Sequence, residues 1–576
     1  MQSQPLTFQN RHAPDFTPDN DTSIALCTLN ARYIHASLGL RYLLANMGAL
    51  QKHTSLFEFT INQRIADIAE QLLASSPDII GFGIYIWNIK ETTELVALLK
   101  KVRPEIKIVI GGPEVSYEYE NTRIFELCDY LITGQADFEF TALCQQVLSE
   151  NKSIAKTTTA ATPQVKELAL PYYLYTDEDI SNRVLYVEAS RGCPFKCEFC
   201  LSALDKTAWP FDLTKLLNEL DALYRRGARQ FKFVDRTFNL KISNCTTIMQ
   251  FFLDRLSDTD NLFLHFEVIP DKLPDALKEL IVQFPPGSLQ FEIGIQSFNE
   301  PVQQTINRKQ NITATVNNLI WLNKHSNAHI HADLIFGLPG ETLETFAHGF
   351  DQLVALQPDE IQLGTLKRLR GSPIIRHTQE YRMCYSDEAP YQLLQNRDID
   401  FHTMQRVQRF ARYWDLIANS GRFQHSLPLL LSSRGQIATD GDSDESFNRF
   451  MKLSDHLFEQ TGQTHKIAYN RLLALVLEAA LATELADETS MHTALAADCR
   501  ANGDAHPPRW LRTHMQSDTD TTPTTPNASS SKTGTPGSEV SGNSVTPSRQ
   551  NRHLKGRNLA DHNPGSQRPA SGSVPD

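Results

Sequence analysis

No apolar run in this 576-residue chain approaches the roughly 20 residues that span a bilayer. The first ten residues, from Met1 to Asn10, carry neither a basic start nor an apolar stretch, so no signal peptide is expected. Both absences point to a soluble, cytoplasmic protein. Positive charge is also scarce: 55 Lys and Arg stand against 67 Asp and Glu, for a formal net charge of −12. A general nucleic-acid binder needs a basic face, and that class is set aside, although a local basic groove is compatible with the total. The nine cysteines are odd in number and scattered, which does not suit a disulfide framework. No repeat of solenoid period is present. What the chain does have is 41% hydrophobic residues, enough for sizeable cores, and a length that implies several domains.

Residues 1–20 are polar and aperiodic and read as a loose lead-in. Over 21–150, strand-like runs (23–29, 55–61, 78–86, 107–111 and 129–133) alternate with helix-like stretches such as 38–47, 65–74 and 90–101. This alternation predicts a parallel sheet covered on both faces, a small flavodoxin-like (Rossmann-type) α/β domain. Residues 151–182, Thr/Ala-rich and then extended at Pro171, read as a linker. From 183 to 373 the alternation resumes with strands at 184–189, 230–234, 262–269, 289–296, 329–336 and 360–366. Six strand–helix units are fewer than the eight of a closed barrel, so a partial TIM-like (β/α)6 barrel is expected, with its chemistry at the C-terminal rim. Strands are expected to stop near Ile374. Residues 374–515 carry helical spacing at 401–418, 445–462 and 467–483 and read as a helical domain. Residues 516–576 are rich in Ser, Thr, Pro, Gly and Asn, and their composition predicts disorder.

The chemistry concentrates at Cys193, Cys197 and Cys200, which follow a strand directly at C-x3-C-x2-C spacing. A short loop of this kind wraps three thiolates around one object, which suits an iron–sulfur cluster. Four irons with three thiolates leave one iron open, as a reacting centre requires. Gly192 and Pro194 keep the loop out of helix and strand. The alternative is a structural metal. Zinc wants four ligands, and no second C-x2-C pair exists, although Cys245 and Cys384 are conceivable distant fourth ligands.

The loop closely resembles the radical S-adenosylmethionine (radical SAM) superfamily, whose signature is C-x3-C-x-aromatic-C with Phe199 in the aromatic position. The resemblance implies a [4Fe-4S] cluster on the three cysteines. Its open iron would chelate S-adenosylmethionine, and reductive cleavage would give a 5′-deoxyadenosyl radical. An electron donor such as flavodoxin or ferredoxin would supply the electron. Phe199 is then expected near the adenine, and Asp235 near the cofactor's amino group, where the family often has Gly-Gly-Glu and this chain does not. In Phe291–Ser297, alternation puts Glu292, Gly294 and Gln296 on one strand face, and an inward carboxylate and amide need partners. Glu292 and Gln296 are therefore candidate S-adenosylmethionine contacts, as are Gly337, Pro339 and Gly340 in the turn after the fifth barrel strand. Lys367–Pro373, with Arg368 and Arg370, forms a basic rim that would meet an anionic substrate or solvent.

In the first domain, glycine turns close three successive strands: Gly81 and Gly83, Gly111-Gly112-Pro113, and Gly134. Ligands bind at such strand ends in open α/β sheets. With the cysteine loop downstream, the order resembles the cobalamin-dependent radical SAM class, and these six residues become candidate cobalamin contacts. The Asp-x-His-x-x-Gly motif of many cobalamin domains is absent. His35 is nearest in position and reads better as a loop or substrate-facing histidine. The resemblance implies radical methylation, or ring closure or rearrangement as in the anaerobic porphyrin cyclase relatives, of an unidentified small molecule. One alternative is a methylthiotransferase acting on RNA or protein, which would need a second cysteine cluster that the scattered Cys27, Cys128 and Cys144 do not form. Another is a non-catalytic cobalamin or redox sensor with a structural cluster. The helical extension resembles that of uncharacterised members of the class.

Overall fold

The computed structural model describes residues 18–19, 21–149, 154–204, 207–256, 261–433, 445–504 and 507–516. Nearly all of the 1–20 lead-in and of the 516–576 tail lies outside the described residues. The described residues fall into two compact units. The first is drawn from 1–236, 367–375 and 385–392, and the second from 237–366, 376–384 and 393–576.

The first unit opens with strands β1 (Ile24–Asn30), β2 (Thr54–Thr60), β3 (Ile79–Gly83), β4 (Lys107–Gly111), β5 (Tyr130–Thr133) and β6 (Thr157–Thr159). They form one sheet in the order β2-β1-β3-β4-β5-β6, all parallel. Strand β1 is buried along its whole length. Its alternation splits two ways: Ala25, Cys27 and Leu29 join a core with Ile68, Leu72, Leu95 and Leu99, while Ile24 and Leu26 join a second core with Leu40, Leu44, Phe140 and Leu143. A strand covered by helices on both faces has no polar side, which explains the continuous apolar run. The strand order reverses between β1 and β3, and the crevice that opens at such a switch point is where doubly wound sheets bind ligands.

Strand β6 falls in the segment read as a linker. Three β-branched threonines pair with Leu131–Thr133, too short a run to show alternation. The same segment holds a helix, Asp177–Asn182, opened by a capping box of Thr176 and Asp179. Asp179 reaches the guanidinium of Arg41 at 2.8 Å, and Glu58 reaches it at 2.8 Å. Arg41 is only 2% exposed, and the pairing locks the segment onto the first helix, Leu38–Ala45.

Beyond it come β7 (Leu185–Val187), β8 (Ser190–Gly192), β9 (Ala208–Pro210) and β10 (Gln230–Phe233). β7 and β10 are parallel, and β8 and β9 form an antiparallel pair that the sequence did not reveal.

The second unit contains β11 (Phe263–Val268), β12 (Leu289–Gln296), β13 (His329–Phe336) and β14 (Glu360–Thr365), paired in parallel as β11-β12-β13-β14. All six strands expected for the partial barrel thus form. Helices Phe401–Ile417, Ser446–Thr461, Tyr469–Ala482, Glu488–Ala501 and Arg509–Gln516 follow. The last two escaped the sequence pattern. Phe350 carries the helical part through an aromatic cluster, with ring centroids 4.8 Å from Trp414 and 5.2 Å from Phe410. Strands do not stop at Ile374, because short ones form at Cys384–Tyr385 and Leu393–Gln395. Among the described residues no helix is long and apolar enough to cross a membrane.

Candidate functional site

Cys193, Cys197 and Cys200 lie on an irregular loop between β8 and a short 3-10 turn, Leu201–Leu204. Gly192 takes φ of +95°, and the Cys200 amide donates to the Cys197 carbonyl at 3.0 Å, so the loop curls. The β8–β9 pairing closes its base, joining Gly192 to Ala208. Cys193 and Cys197 are each 8% exposed, and none of the three is in a disulfide. Among the described residues, no three His, Cys, Asp or Glu side chains converge as for a single metal ion. A cluster takes each thiolate on a different iron, which three cysteines on one curled loop can supply.

Asp235, expected at the cofactor's amino group, is 2% exposed. One oxygen accepts from the Ala189 amide at 2.8 Å and the other from the Ser190 hydroxyl at 2.6 Å. Burial pushes its carboxyl up to about 7. Asp235 therefore braces the strand that launches the cysteine loop. Phe199 is half-buried in the turn before Cys200.

At the C-terminal ends of β3, β4 and β5 the first unit holds a cavity of about 410 Å³. That lies within the roughly 300–1,000 Å³ typical of cofactor sites. Gly81, Gly83, Gly111, Gly112 and Gly134 all line it, while Pro113 does not and instead opens a 3-10 turn. At Gly112, with φ of +115°, an added Cβ would lie 2.5 Å from the Ile84 carbonyl, so only glycine fits. Glu188, Ser190, Arg191, Gly192 and Ser202, which flank the cysteine loop in the sequence, also line the cavity, as does Arg236. The cradle and the loop thus border one space. No histidine lines it. His35 instead shares a 2.7 Å hydrogen bond with the Tyr186 hydroxyl, and burial lowers its pKa.

Sequence reasoning passed over Glu188, Arg191, Asp137 and the cavity residues Tyr42 and Tyr85. The available signal was the charge at Glu188 and Arg191, immediately before the first cysteine. The basic rim is corrected: Arg368 pairs with Glu118 at 2.8 Å. Arg370 reaches Glu114 and the Tyr391 hydroxyl, each at 3.0 Å, so both arginines are neutralised within the chain.

In the second unit, Glu292 accepts from His265 at 2.9 Å. Gln296 ends β12 beside a bulge with φ of +71°, and Arg308 donates to the Gly294 carbonyl there. Arg308 had no sequence signal. Gly337 has φ of +92°, and the space its side chain would fill is taken by Leu393, 2.7 Å from an added Cβ. Gly340 lies against Tyr381, and Pro339 is buried. The close approach that these glycines allow is made by the chain itself.

Glu341, which follows this turn, is 1% exposed and accepts from Ser297. Burial raises its carboxyl to about 8. The folded chain thus holds this proton more tightly than the unfolded chain does. The stabilisation is full below the ordinary carboxylate range and is lost as pH rises through about 8. Thermal unfolding is expected to shift downward between pH 7 and pH 9, and Glu341→Gln should flatten that shift; an unchanged slope in the variant would contradict the assignment.

Cys27, Cys128, Cys144 and Cys245 are buried packing groups, whereas Cys384 is exposed. Cys27 and Cys128 belong to one core and Cys144 to the other, so they cannot share a cluster. Burial pushes the Cys128 thiol to about 11. Cys245 donates to the Phe238 carbonyl at 2.8 Å.

A doubly wound sheet with a glycine cavity, followed by a three-cysteine loop and further parallel strands, defines an α/β protein. Comparison with known proteins agrees. The family model described as B12 binding domain matches residues 25–143, Radical SAM superfamily matches 187–353, and Protein of unknown function (DUF4080) matches 379–527. The chain thus carries a region that matches the B12-binding domain ahead of one that matches the radical SAM superfamily. It is 24% identical over 335 residues to an uncharacterized methyltransferase of Pyrococcus horikoshii, covering 53% of this chain and 70% of that protein. It is also 24% identical to the cobalamin-dependent radical SAM methyltransferase TokK of Streptomyces tokunonensis, over 52% of this chain and 48% of the relative, so the match spans about half of TokK. The solved structure of the cobalamin-dependent S-adenosylmethionine radical enzyme OxsB, with aqua-cobalamin and S-adenosylmethionine bound, superposes with a TM-score of 0.57 at 15% identity. That match covers 87% of this chain and 83% of OxsB and shows the shared fold.

Proposed function

We propose that this chain is a cobalamin-dependent radical SAM enzyme, performing radical methylation or ring closure or rearrangement on a small molecule. The observation that carries this reading is the cavity lined both by the glycine turns and by residues flanking the three-cysteine loop. The thiolates of Cys193, Cys197 and Cys200 would hold a [4Fe-4S] cluster. Gly81, Gly83, Gly111, Gly112 and Gly134 would form the cobalamin cradle. When bound, these groups supply electron delivery to S-adenosylmethionine and a carrier for the transferred carbon. The protein's own residues position and enclose: Asp235 fixes the strand ahead of the loop, and Tyr85 and Tyr42 give the cavity apolar walls.

We assign an S-adenosylmethionine contact to Phe199, in the first unit beside the cysteine loop. Gly337, Pro339 and Gly340 act by shaping the turn. A cytoplasmic location and a flavodoxin or ferredoxin as electron donor accord with this chemistry. The methylthiotransferase reading lacks its second cluster, since Cys27, Cys128 and Cys144 are divided between two cores.

The test is anaerobic reconstitution with iron, sulfide, reductant, hydroxocobalamin and S-adenosylmethionine. Formation of 5′-deoxyadenosine or S-adenosylhomocysteine is expected. A fully cluster-loaded protein that yields neither, with a metabolite pool supplied, would overturn the enzymatic reading in favour of a sensor.

A further inference from the structure

Arg191 stands two residues before Cys193, on β8, and its side chain is 17% exposed. Its guanidinium meets Asp137 at 2.9 Å and Glu188 at 2.7 Å. Its face lies 4.6 Å from the centre of the Tyr42 ring. Asp137 comes three residues after Gly134, the glycine that ends β5 with φ of +82°. Tyr42, Gly134, Gln135, Asp137, Glu188 and Arg191 all line the cavity.

A planar guanidinium forked between two carboxylates has a fixed geometry. Displacement of the Gly134–Asp137 turn must therefore either strain the pair or carry Arg191 with it, and Arg191 is bonded through Gly192 to the first cysteine. Breaking the pair is costly, because Asp137 and Glu188 are each under a tenth exposed and an abandoned carboxylate there is poorly hydrated.

We infer that Asp137, Arg191 and Glu188 are positioning residues that couple occupancy of the glycine cavity to the conformation of the cysteine loop. The inference rests on reading the cavity as the cobalamin site and the loop as the cluster site. Coupling between two sites is reciprocal, so each occupant strengthens binding of the other by the same factor, commonly about 5- to 150-fold.

The test measures the dissociation constant of hydroxocobalamin on cluster-loaded and on cluster-free protein, followed by cobalamin absorbance. Wild-type protein is expected to bind at least about fivefold more tightly when cluster-loaded. In Asp137→Ala the pair Arg191–Glu188 remains, and the ratio of the two constants, taken within that variant, should fall to near one whatever the variant does to the cluster-free constant. Asp137→Asn, which keeps an acceptor oxygen, should restore most of the ratio. A wild-type ratio of one, or an Asp137→Ala ratio equal to wild type, would overturn the coupling. If wild-type protein binds no hydroxocobalamin in either state, the cavity reading itself fails and the coupling with it; wild-type protein alone shows this, so the two failures are distinguishable.

Discussion

Cys197→Ala is expected to abolish the cluster and, with it, all S-adenosylmethionine cleavage. Three thiolates are the least that hold a four-iron cube while leaving one iron open. The loop offers no replacement: Glu198 follows Cys197, but its backbone carbonyl is tied to the Ile374 amide at 2.9 Å and its side chain is 1% exposed. The variant should lose the broad visible absorption of the reconstituted protein while keeping its thermal unfolding midpoint. Cys245→Ala is the matched control. That thiol is buried and hydrogen-bonded to the Phe238 carbonyl, so its loss should leave the cluster intact. Exposed Cys384 is the remaining distant candidate for a fourth ligand, and Cys384→Ala should also leave the cluster unchanged. Cluster absorption retained in Cys197→Ala would overturn the ligand assignment.

Gly83→Leu is expected to abolish cobalamin retention without touching the cluster. Gly83 ends β3 and lines the cavity. A Cβ added there would meet Leu40, Tyr85 and Thr28 at 3.5 to 3.6 Å, ordinary contacts that need no backbone shift. Gly83→Ala should therefore fold normally, and any loss it shows reports the cavity alone. Leucine adds three further carbons to the same wall and occupies space a ligand would need. Weakening of hydroxocobalamin binding by about a hundredfold or more is expected, equivalent to roughly 2.7 kcal/mol. Gel filtration with absorbance detection reads the outcome. Cobalamin carried through the column by Gly83→Leu as well as by wild type would place the binding site elsewhere.

The cluster loop was the most legible feature because its signal is local. Three cysteines and an aromatic residue within eight positions carry the chemistry in their spacing. The strands were legible for the same reason: β4, β12 and β13 fall on the residues their apolar runs indicated. Contacts that close over long separations were not legible. Asp137 and Arg191 lie 54 residues apart, and neither has a pattern until the fold joins them. Arg368 and Arg370 looked like a rim awaiting an anion, yet Glu118 and Glu114, about 250 residues earlier, neutralise them. Asp235 is expected at a cofactor from its place after a strand; its hydrogen bonds to Ala189 and Ser190, about 45 residues earlier, had no local signal. Short strands such as β6 and β8 lack the length that alternation needs.

The central claim is that one chain holds an iron–sulfur cluster and cobalamin around one cavity. Metal analysis of anaerobically reconstituted full-length protein after gel filtration tests it most directly. The account predicts about four irons, about four sulfides and about one cobalt per chain, retained together. Zinc in place of iron, or iron retained with no cobalt, would contradict it.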